Sequence, residues 1–202
     1  GHPLIVHSIH LFTTISNVQQ LLLILPERHL EKGRALMVQY GWEKTVRVSE
    51  GGPRRQDSVR AGLENLTPCT WVAVHDGARP LIDIETLNRG LEAAQETGAA
   101  VAAVPTKDTV KVVSKSGLVS ETPPRESLWQ VQTPQIFSYE LIMEAHRRSE
   151  GTFTDDGTMV ERLGHPVKVF MGSYSNIKVT TPEDLLLAKA LMEGAEAVGI
   201  PT

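Results

Sequence analysis

Hydrophobic and polar positions along the chain fall into blocks that switch between helical and extended spacing. Leu4, Ile5, Ile9 and Phe12 recur at helical spacing behind Pro3, a good first-turn residue, and predict an opening helix. Gln20 and the run Leu21 to Leu25 suit a short strand buried on both faces, stopped at Pro26. A helical stretch follows Pro26. Thr45 to Val48 is strand-like, Gly51-Gly52-Pro53 breaks the pattern, and Asp57 to Leu66 is helical. Trp71 to His75 predicts another strand. Asp83 to Thr97 predicts a helix capped by Asp83 and stopped by Gly98, and Ala99 to Val104 a strand of small apolar residues. This alternation predicts an α/β fold with a mostly parallel, twisted sheet and helices on both faces.

The rhythm breaks after Pro105. Thr109 to Val113 and Gly117 to Ser120 flank Ser114-Lys115-Ser116 and predict a hairpin. It has few large apolar residues and is marginal alone, so it must lean on its own domain or on a second subunit. Pro123-Pro124 closes it. Helices are predicted over Tyr139 to Arg148, Asp156 to Leu163 and Pro182 to Glu193, with a strand over Val167 to Met171. No internal repeat or low-complexity segment interrupts this order. The opening Gly1-His2-Pro3 reads as a chain already in progress.

The 202 residues suit one domain, and the apolar fraction of 41% with 22% charged residues is that of a globular chain. Twenty Lys and Arg against 24 Asp and Glu give a net charge of −4, which offers no general attraction for nucleic acid or an acidic membrane surface. The one cysteine, Cys69, excludes an internal disulfide and a cysteine-rich metal site. No apolar run reaches membrane-spanning length, and no signal peptide is expected.

In open α/β sheets ligands bind beyond the carboxyl ends of strands, so the residues after each predicted strand are the candidates. Ser49 to Ser58 brings two glycines, two arginines and a helix start, which fits an anion site. The same pattern fits an ordinary glycine turn with Ser and Asp capping, and the pattern alone favours the turn. His75-Asp76-Gly77-Ala78-Arg79-Pro80 places a carboxylate and a guanidinium on a turn of small residues. Asp76 suits a magnesium ion or a ligand hydroxyl, and Arg79 suits phosphate, although a surface Asp–Arg pair explains them equally. His75 reads as a packed strand residue. Pro105 to Thr109 fits a ligand loop or a solvated one. Arg125 and Gln132-Thr133-Pro134-Gln135 lie in a polar, non-helical stretch. Thr152 to Asp156 reads best as helix capping, and a lone Lys178 as a surface residue. There is no Gly-x-Ser-x-Gly, no Cys–His constellation and no His-Glu-x-x-His. Chemistry that needs cations and positioning but no protein nucleophile, such as phosphoryl or nucleotidyl transfer, gains by that absence.

Six motifs stand in order: Gly51-Gly52-x-x-Arg55-x-x-Ser58-Val59, His75-Asp76-x-Ala78-Arg79-Pro80, Lys107-Asp108-Thr109-Val110-Lys111, Gln132-Thr133-Pro134-Gln135-x-Phe137, Thr154-Asp155-Asp156, and Asn176-Ile177-Lys178-Val179-Thr180-x-Pro182-Glu183-Asp184-Leu185. Together they resemble the 2-C-methyl-D-erythritol 4-phosphate cytidylyltransferase family from Pro3 to about Leu191. The resemblance implies one nucleotidyltransferase domain over residues 1–202, with a Rossmann-like sheet and an extended hairpin arm over residues 107–125 that clasps a second subunit in a homodimer. It implies that Gly51, Gly52, Arg55, Ser58, Asp76 and Gly77 face CTP, with Asp76 at Mg²⁺. Arg79, Thr109, Thr133 and Thr154 would face methylerythritol phosphate. Lys178, with Arg125 from the partner subunit, would be the catalytic pair holding the attacking phosphate. No nucleic acid or membrane partner is implied, and the setting would be the bacterial cytoplasm or, in a plant, the plastid stroma. Members of the family begin with a strand and a Gly-rich loop carrying an Arg, followed by a Lys, which cradle the triphosphate. The 202 residues contain no such segment, so the polypeptide they form is expected to have little or no activity. Gly77 stands where the family usually has Ala. The runner-up is ribitol 5-phosphate cytidylyltransferase, followed by a non-catalytic dimeric relative. A dinucleotide-dependent dehydrogenase is disfavoured by the lack of Gly-x-Gly-x-x-Gly.

Overall fold

The computed structural model describes residues 2–197. Helix α1 (Leu4–Thr14) follows Pro3 and buries Val6, Ile9 and Phe12; of the expected face, Ile9 and Phe12 are buried while Leu4 and Ile5 are only half-buried. Strand β1 (Leu21–Leu25) leads through helix α2 (Leu30–Gln39) to β2 (Val46–Glu50), and the two strands pair in parallel with Leu21 opposite Val46. Helix α3 (Arg55–Glu64) and strand β3 (Trp71–Val74) follow. Helix α4 (Ile84–Thr97) starts where the Asp83 carboxylate accepts from the Thr86 N–H. It ends at Gly98, whose φ of 80° lies in the left-handed region that favours glycine. Strand β4 (Ala99–Pro105) then enters the core.

The larger sheet also contains β7 (Trp129–Ser138) and β8 (Lys168–Met171), in the order β3-β7-β4-β8. Strand β7 runs antiparallel to both neighbours, and only β4 and β8 are parallel. The expectation of a mostly parallel sheet is therefore corrected: the central sheet is mixed. The cause lies in the sequence of β7. Gln130, Gln132, Thr133, Pro134 and Gln135 give neither an apolar run nor clean alternation, and a proline normally argues against an interior strand. The strand tolerates Pro134, which follows a cis peptide bond, because the β4–β7 register shifts between Val101 and Ala103. The resulting irregularity leaves Pro134 out of the ladder, where no N–H is needed.

Helices cover both faces, as expected. Helices α3, α5 (Tyr139–Arg148) and α6 (Asp156–Arg162) close over Val72, Ala99 and Phe137 on one side. Helices α1 and α4 close over Ala100, Ala102, Ile136 and Phe170 on the other. The neighbours Ile136 and Phe137 point to opposite faces, as a strand requires. The run of alanines in β4 gives little bulk to either side and lets the helices approach closely. Between β4 and β7 the chain makes the short hairpin β5 (Val112–Val113) and β6 (Val119–Glu121), smaller than the sequence suggested. Its Val112, Val113, Leu118 and Val119 are all exposed. Helix α7 (Pro182–Ala197) closes the described chain.

Phe137 is fully buried where β7 meets α5 and α6. Phe137→Ala is expected to cost about 3–5 kcal/mol of folding stability, through lost burial and the cavity left behind. Urea denaturation checks this; a loss under about 1 kcal/mol would contradict the central place given to β7.

Candidate active site

Strand β3 ends at Val74, and the next residues make a tight turn in which the Arg79 N–H donates to the Asp76 carbonyl at 2.9 Å. The turn rests on α1: Ser8 Oγ donates to the Arg79 carbonyl, and the Phe12 ring meets His75 edge-on at 5.5 Å. Ile5 lies where a side chain on residue 77 would go, so Gly77 allows α1 to approach. Next to this turn, the polar part of β7 supplies Thr133. Its hydroxyl accepts from the Asp76 N–H at 3.0 Å and is 3.1 Å from His75 Nδ1. The loop before α7 is pinned by the Val179 N–H donating to the Ala78 carbonyl and by Asn176 Nδ2 donating to the Thr133 carbonyl, both at 2.8 Å. These tethers carry Lys178 to the same place.

The result is an open hollow of ≈ 490 Å³ lined by Arg55, Asp76, Arg79, Thr133, Thr154 and Lys178, among others. At its centre, Asp76 Oδ1 lies 3.2 Å from Arg55 Nε, and Asp76 Oδ2 lies 3.0 Å from Lys178 Nζ and 3.7 Å from Arg79 Nε. Burial pushes the Asp76 carboxyl up, but the Lys178 hydrogen bond and the Arg55 charge outweigh it, and the group sits below the usual carboxylate range. Burial draws Arg55 down, and the charges of Asp156 and Asp76 more than reverse it. Arg79 is lowered chiefly by burial. One Arg79 nitrogen donates to the Asn176 carbonyl at 2.7 Å, while its Nε has no hydrogen-bond partner among the described residues. His75 is held by burial at about 4 and is neutral at pH 7, in keeping with a packed strand residue. Arg55, Arg79 and Lys178 share the hollow with Asp76 and Asp155, and Arg55 is also paired with Asp156, so the cations are matched by carboxylates; Lys178 is the most exposed of the three and the freest to meet a phosphate.

The structure thus gathers six of the sequence candidates: Arg55, Asp76, Arg79, Thr133, Thr154 and Lys178. Gly51, Gly52 and Ser58 do not line the hollow: the glycines lie in the turn between β2 and α3, and Ser58 Oγ donates from α3 to the Gly52 carbonyl at 3.2 Å. A Cβ on Gly52 would come within 3.1 Å of the Asp57 backbone, so the turn needs glycine there. Thr109 and Arg125 are not in the hollow. Both are exposed at the hairpin arm, and Arg125 donates to the Lys107 carbonyl at 2.9 Å. Sequence reasoning passed over four buried residues: Gln135, His146, Asp156 and Asn176. Asp155 alone is the helix cap, accepting from the Thr158 N–H at 2.9 Å, so the adjacent Asp156 was available for another task. Two acidic residues where one cap suffices was the signal. A second hollow, lined by Arg54, Arg60 and His146 among others, contains Arg54 of the Ser49 to Ser58 segment but none of the residues that the family resemblance implies.

A mixed α/β sheet with a hollow of charged side chains beyond one strand end defines a protein of the α/β class, in which ligands bind at the carboxyl ends of strands. Comparison with known proteins narrows this. Residues 1–194 match the family IspD, 2-C-methyl-D-erythritol 4-phosphate cytidylyltransferase. The enzyme of that description from Dehalococcoides mccartyi is 48% identical over 193 residues, covering 96% of this chain and 85% of the relative. That from Pelotomaculum thermopropionicum is 43% identical over 201 residues, covering 97% and 84%. Among solved structures, the Thermus thermophilus 2-C-methyl-D-erythritol 4-phosphate cytidylyltransferase is similar with a TM-score of 0.81 at 35% identity, covering 96% of this chain and 90% of its own. The 4-diphosphocytidyl-2C-methyl-D-erythritol synthase of Anaerococcus prevotii gives 0.87 at 29%, covering 96% and 87%. The chain belongs to the 2-C-methyl-D-erythritol 4-phosphate cytidylyltransferase family. Its activity is cytidylyl transfer in the non-mevalonate route to isoprenoids, with CTP as a substrate of the family. Among the described residues no helix is long and apolar enough to cross a membrane.

The neutral His75 sets a pH dependence. Its value falls from 6.5 to about 4 on folding, so between those values the unfolded chain holds more protons than the folded one. Stability is then complete above pH 6.5 and declines as the pH falls toward 4, by on the order of 3 kcal/mol at most. Denaturation at a series of pH values checks this: His75→Gln is expected to flatten the decline, and an unchanged slope would contradict it.

Proposed function

We propose that the hollow around Asp76 is where methylerythritol phosphate and CTP meet, within a single nucleotidyltransferase domain whose residues 107–125 form a dimerisation arm. The observation that carries this reading is the convergence of Asp76, Arg79, Thr133 and Lys178 on one hollow from three separate stretches of chain. Lys178 uses one hydrogen bond on Asp76, so its ammonium has donors to spare for a phosphate oxygen. Arg79 and Thr133 stand beside it, and Thr154 lines the same space. Arg55, with the Gly51-Gly52 turn and Ser58, faces the nucleotide, as the family resemblance implies.

The chemistry asked of these residues is modest. The substrate phosphate oxygen is already anionic and needs no general base. It attacks the α-phosphorus of CTP in line, the bond from that phosphorus to the β-phosphate oxygen breaks, and pyrophosphate leaves with the electron pair. Lys178 and Arg79 hold the attacking phosphate. Arg55 offsets negative charge on the nucleotide.

Magnesium fits this set as a nucleotide-borne ion. Among the described residues no group of three or more His, Cys, Asp or Glu side chains could hold a metal alone. One carboxylate together with the phosphates of CTP, however, is a usual magnesium environment. Asp76 is the residue that would hold it, and the ion would supply charge neutralisation on the triphosphate. The bacterial relatives support a setting in the bacterial cytoplasm.

The arm explains the position of Arg125. It lies outside the hollow of its own chain, on a hairpin whose apolar side chains are exposed, and a second copy would both cover them and bring Arg125 to the partner's Lys178. Mixing Arg125→Ala subunits with Lys178→Ala subunits is therefore expected to restore about a quarter of the sites by random pairing in a two-fold dimer. Activity measured after confirmed subunit exchange checks this, and no recovery would put both residues in one subunit's site.

A further inference from the structure

Beneath the hollow lies a polar connection that the reaction chemistry does not itself call for. Arg55 bridges two carboxylates: its Nε is 3.2 Å from Asp76 Oδ1, and its terminal nitrogen donates to Asp156 Oδ2 at 2.7 Å. Asp156 is fully buried, and its other oxygen lies 2.9 Å from Nε2 of the buried His146. The backbone of Asp156 is fixed as well, because its N–H and that of Gly157 both donate to Gln135 Oε1, at 3.1 and 3.3 Å. His146 is held in turn by Arg60, which donates to its carbonyl. Side chains from α3, α5 and β7 therefore hold Asp156 of α6, whose carboxylate does not line the hollow.

We infer that Asp156, braced by His146 and Gln135, is a positioning residue that fixes the Arg55 guanidinium and so decides how Asp76 is shared between Arg55 and Lys178. This rests on the assignment of the Asp76 hollow as the reaction site. The physical reason is competition. Asp76 has two oxygens and three cationic neighbours. A guanidinium held at one end by Asp156 can offer only its Nε edge to Asp76 Oδ1, leaving Oδ2 for Lys178. Released from Asp156, Arg55 is free to turn its fork onto both Asp76 oxygens and displace Lys178, the group that is to grip the attacking phosphate. The buried carboxylate thus acts at a distance from substrate, through the one side chain it holds.

A double-mutant cycle in the natural full-length protein tests this, using Asp156→Asn, Arg55→Gln and the double variant, with kcat and KM measured for both substrates. Asp156→Asn is expected to lower kcat/KM roughly 10- to 100-fold. The same change in the Arg55→Gln background is expected to add little, because the residue through which Asp156 acts is gone. His146→Gln leaves the carboxylate in place and keeps the cycle usable if Asp156→Asn folds poorly; it is expected to give a smaller loss that likewise disappears with Arg55→Gln. A merely structural role would instead give losses that multiply in the double variants, and that result overturns the inference while leaving the site intact. Wild-type kinetics for both Asp156→Asn and His146→Gln also overturn it. If Arg55→Gln itself leaves both substrates unaffected, the assignment of the hollow fails along with the inference.

Discussion

The site depends on one carboxylate. Asp76 stands at a strand end with Arg55, Arg79 and Lys178 around it, and without its charge three cations would face one another in a partly buried hollow. Like charges so close repel, and each would turn away to solvent. The lowered pKa of Asp76 expresses the same fact, because its charged form is the one its neighbours stabilise. The arrangement is also poised for exchange. Lys178 is half exposed, so a phosphate can draw it from Asp76 at little cost, whereas Arg55 and Arg79 are more enclosed and stay near where they are.

What holds this constellation in place is the polar portion of β7. Gln132, Thr133 and Gln135 are buried in the middle of the protein, a costly position unless each polar group finds a partner. Each does. Gln132 holds the Ser173 carbonyl, Thr133 holds the Asp76 N–H, and Gln135 holds the start of α6. One strand thus ties the turn at Asp76, the loop carrying Lys178 and the helix carrying Asp156 to a common frame. Irregular ladder geometry and an interior proline are the local departures from ideal sheet structure that this task requires.

The same strand marks the limit of what the sequence discloses. Elements built on periodic apolar spacing or on helix caps were legible: α1 behind Pro3, β1 in its leucine run, α4 between Asp83 and Gly98, and β4 in its alanines. Strand β7 was not, because its residues were chosen for hydrogen bonding at the site and conceal the pattern that normally betrays a strand. Asp76 and Arg79 were legible as candidates because they follow a strand, whereas Lys178 reads by itself as a surface residue and became a candidate only through the family resemblance. Their convergence was not, since it depends on Asn176 and Val179 docking a distant loop onto the turn. Asp156 was masked by its neighbour: Asp155 performs the capping that the sequence suggests, and the spare second acidic residue is the one local sign that Asp156 turns inward to Arg55 and His146.

The most direct measurement is a crystal structure of the natural full-length protein with methylerythritol phosphate bound. Phosphate oxygens within hydrogen-bond distance of Lys178 Nζ and the Arg79 guanidinium, beside Asp76, are expected. A phosphate seated instead in the second hollow, against Arg54 and Arg60, would contradict the assignment of the site.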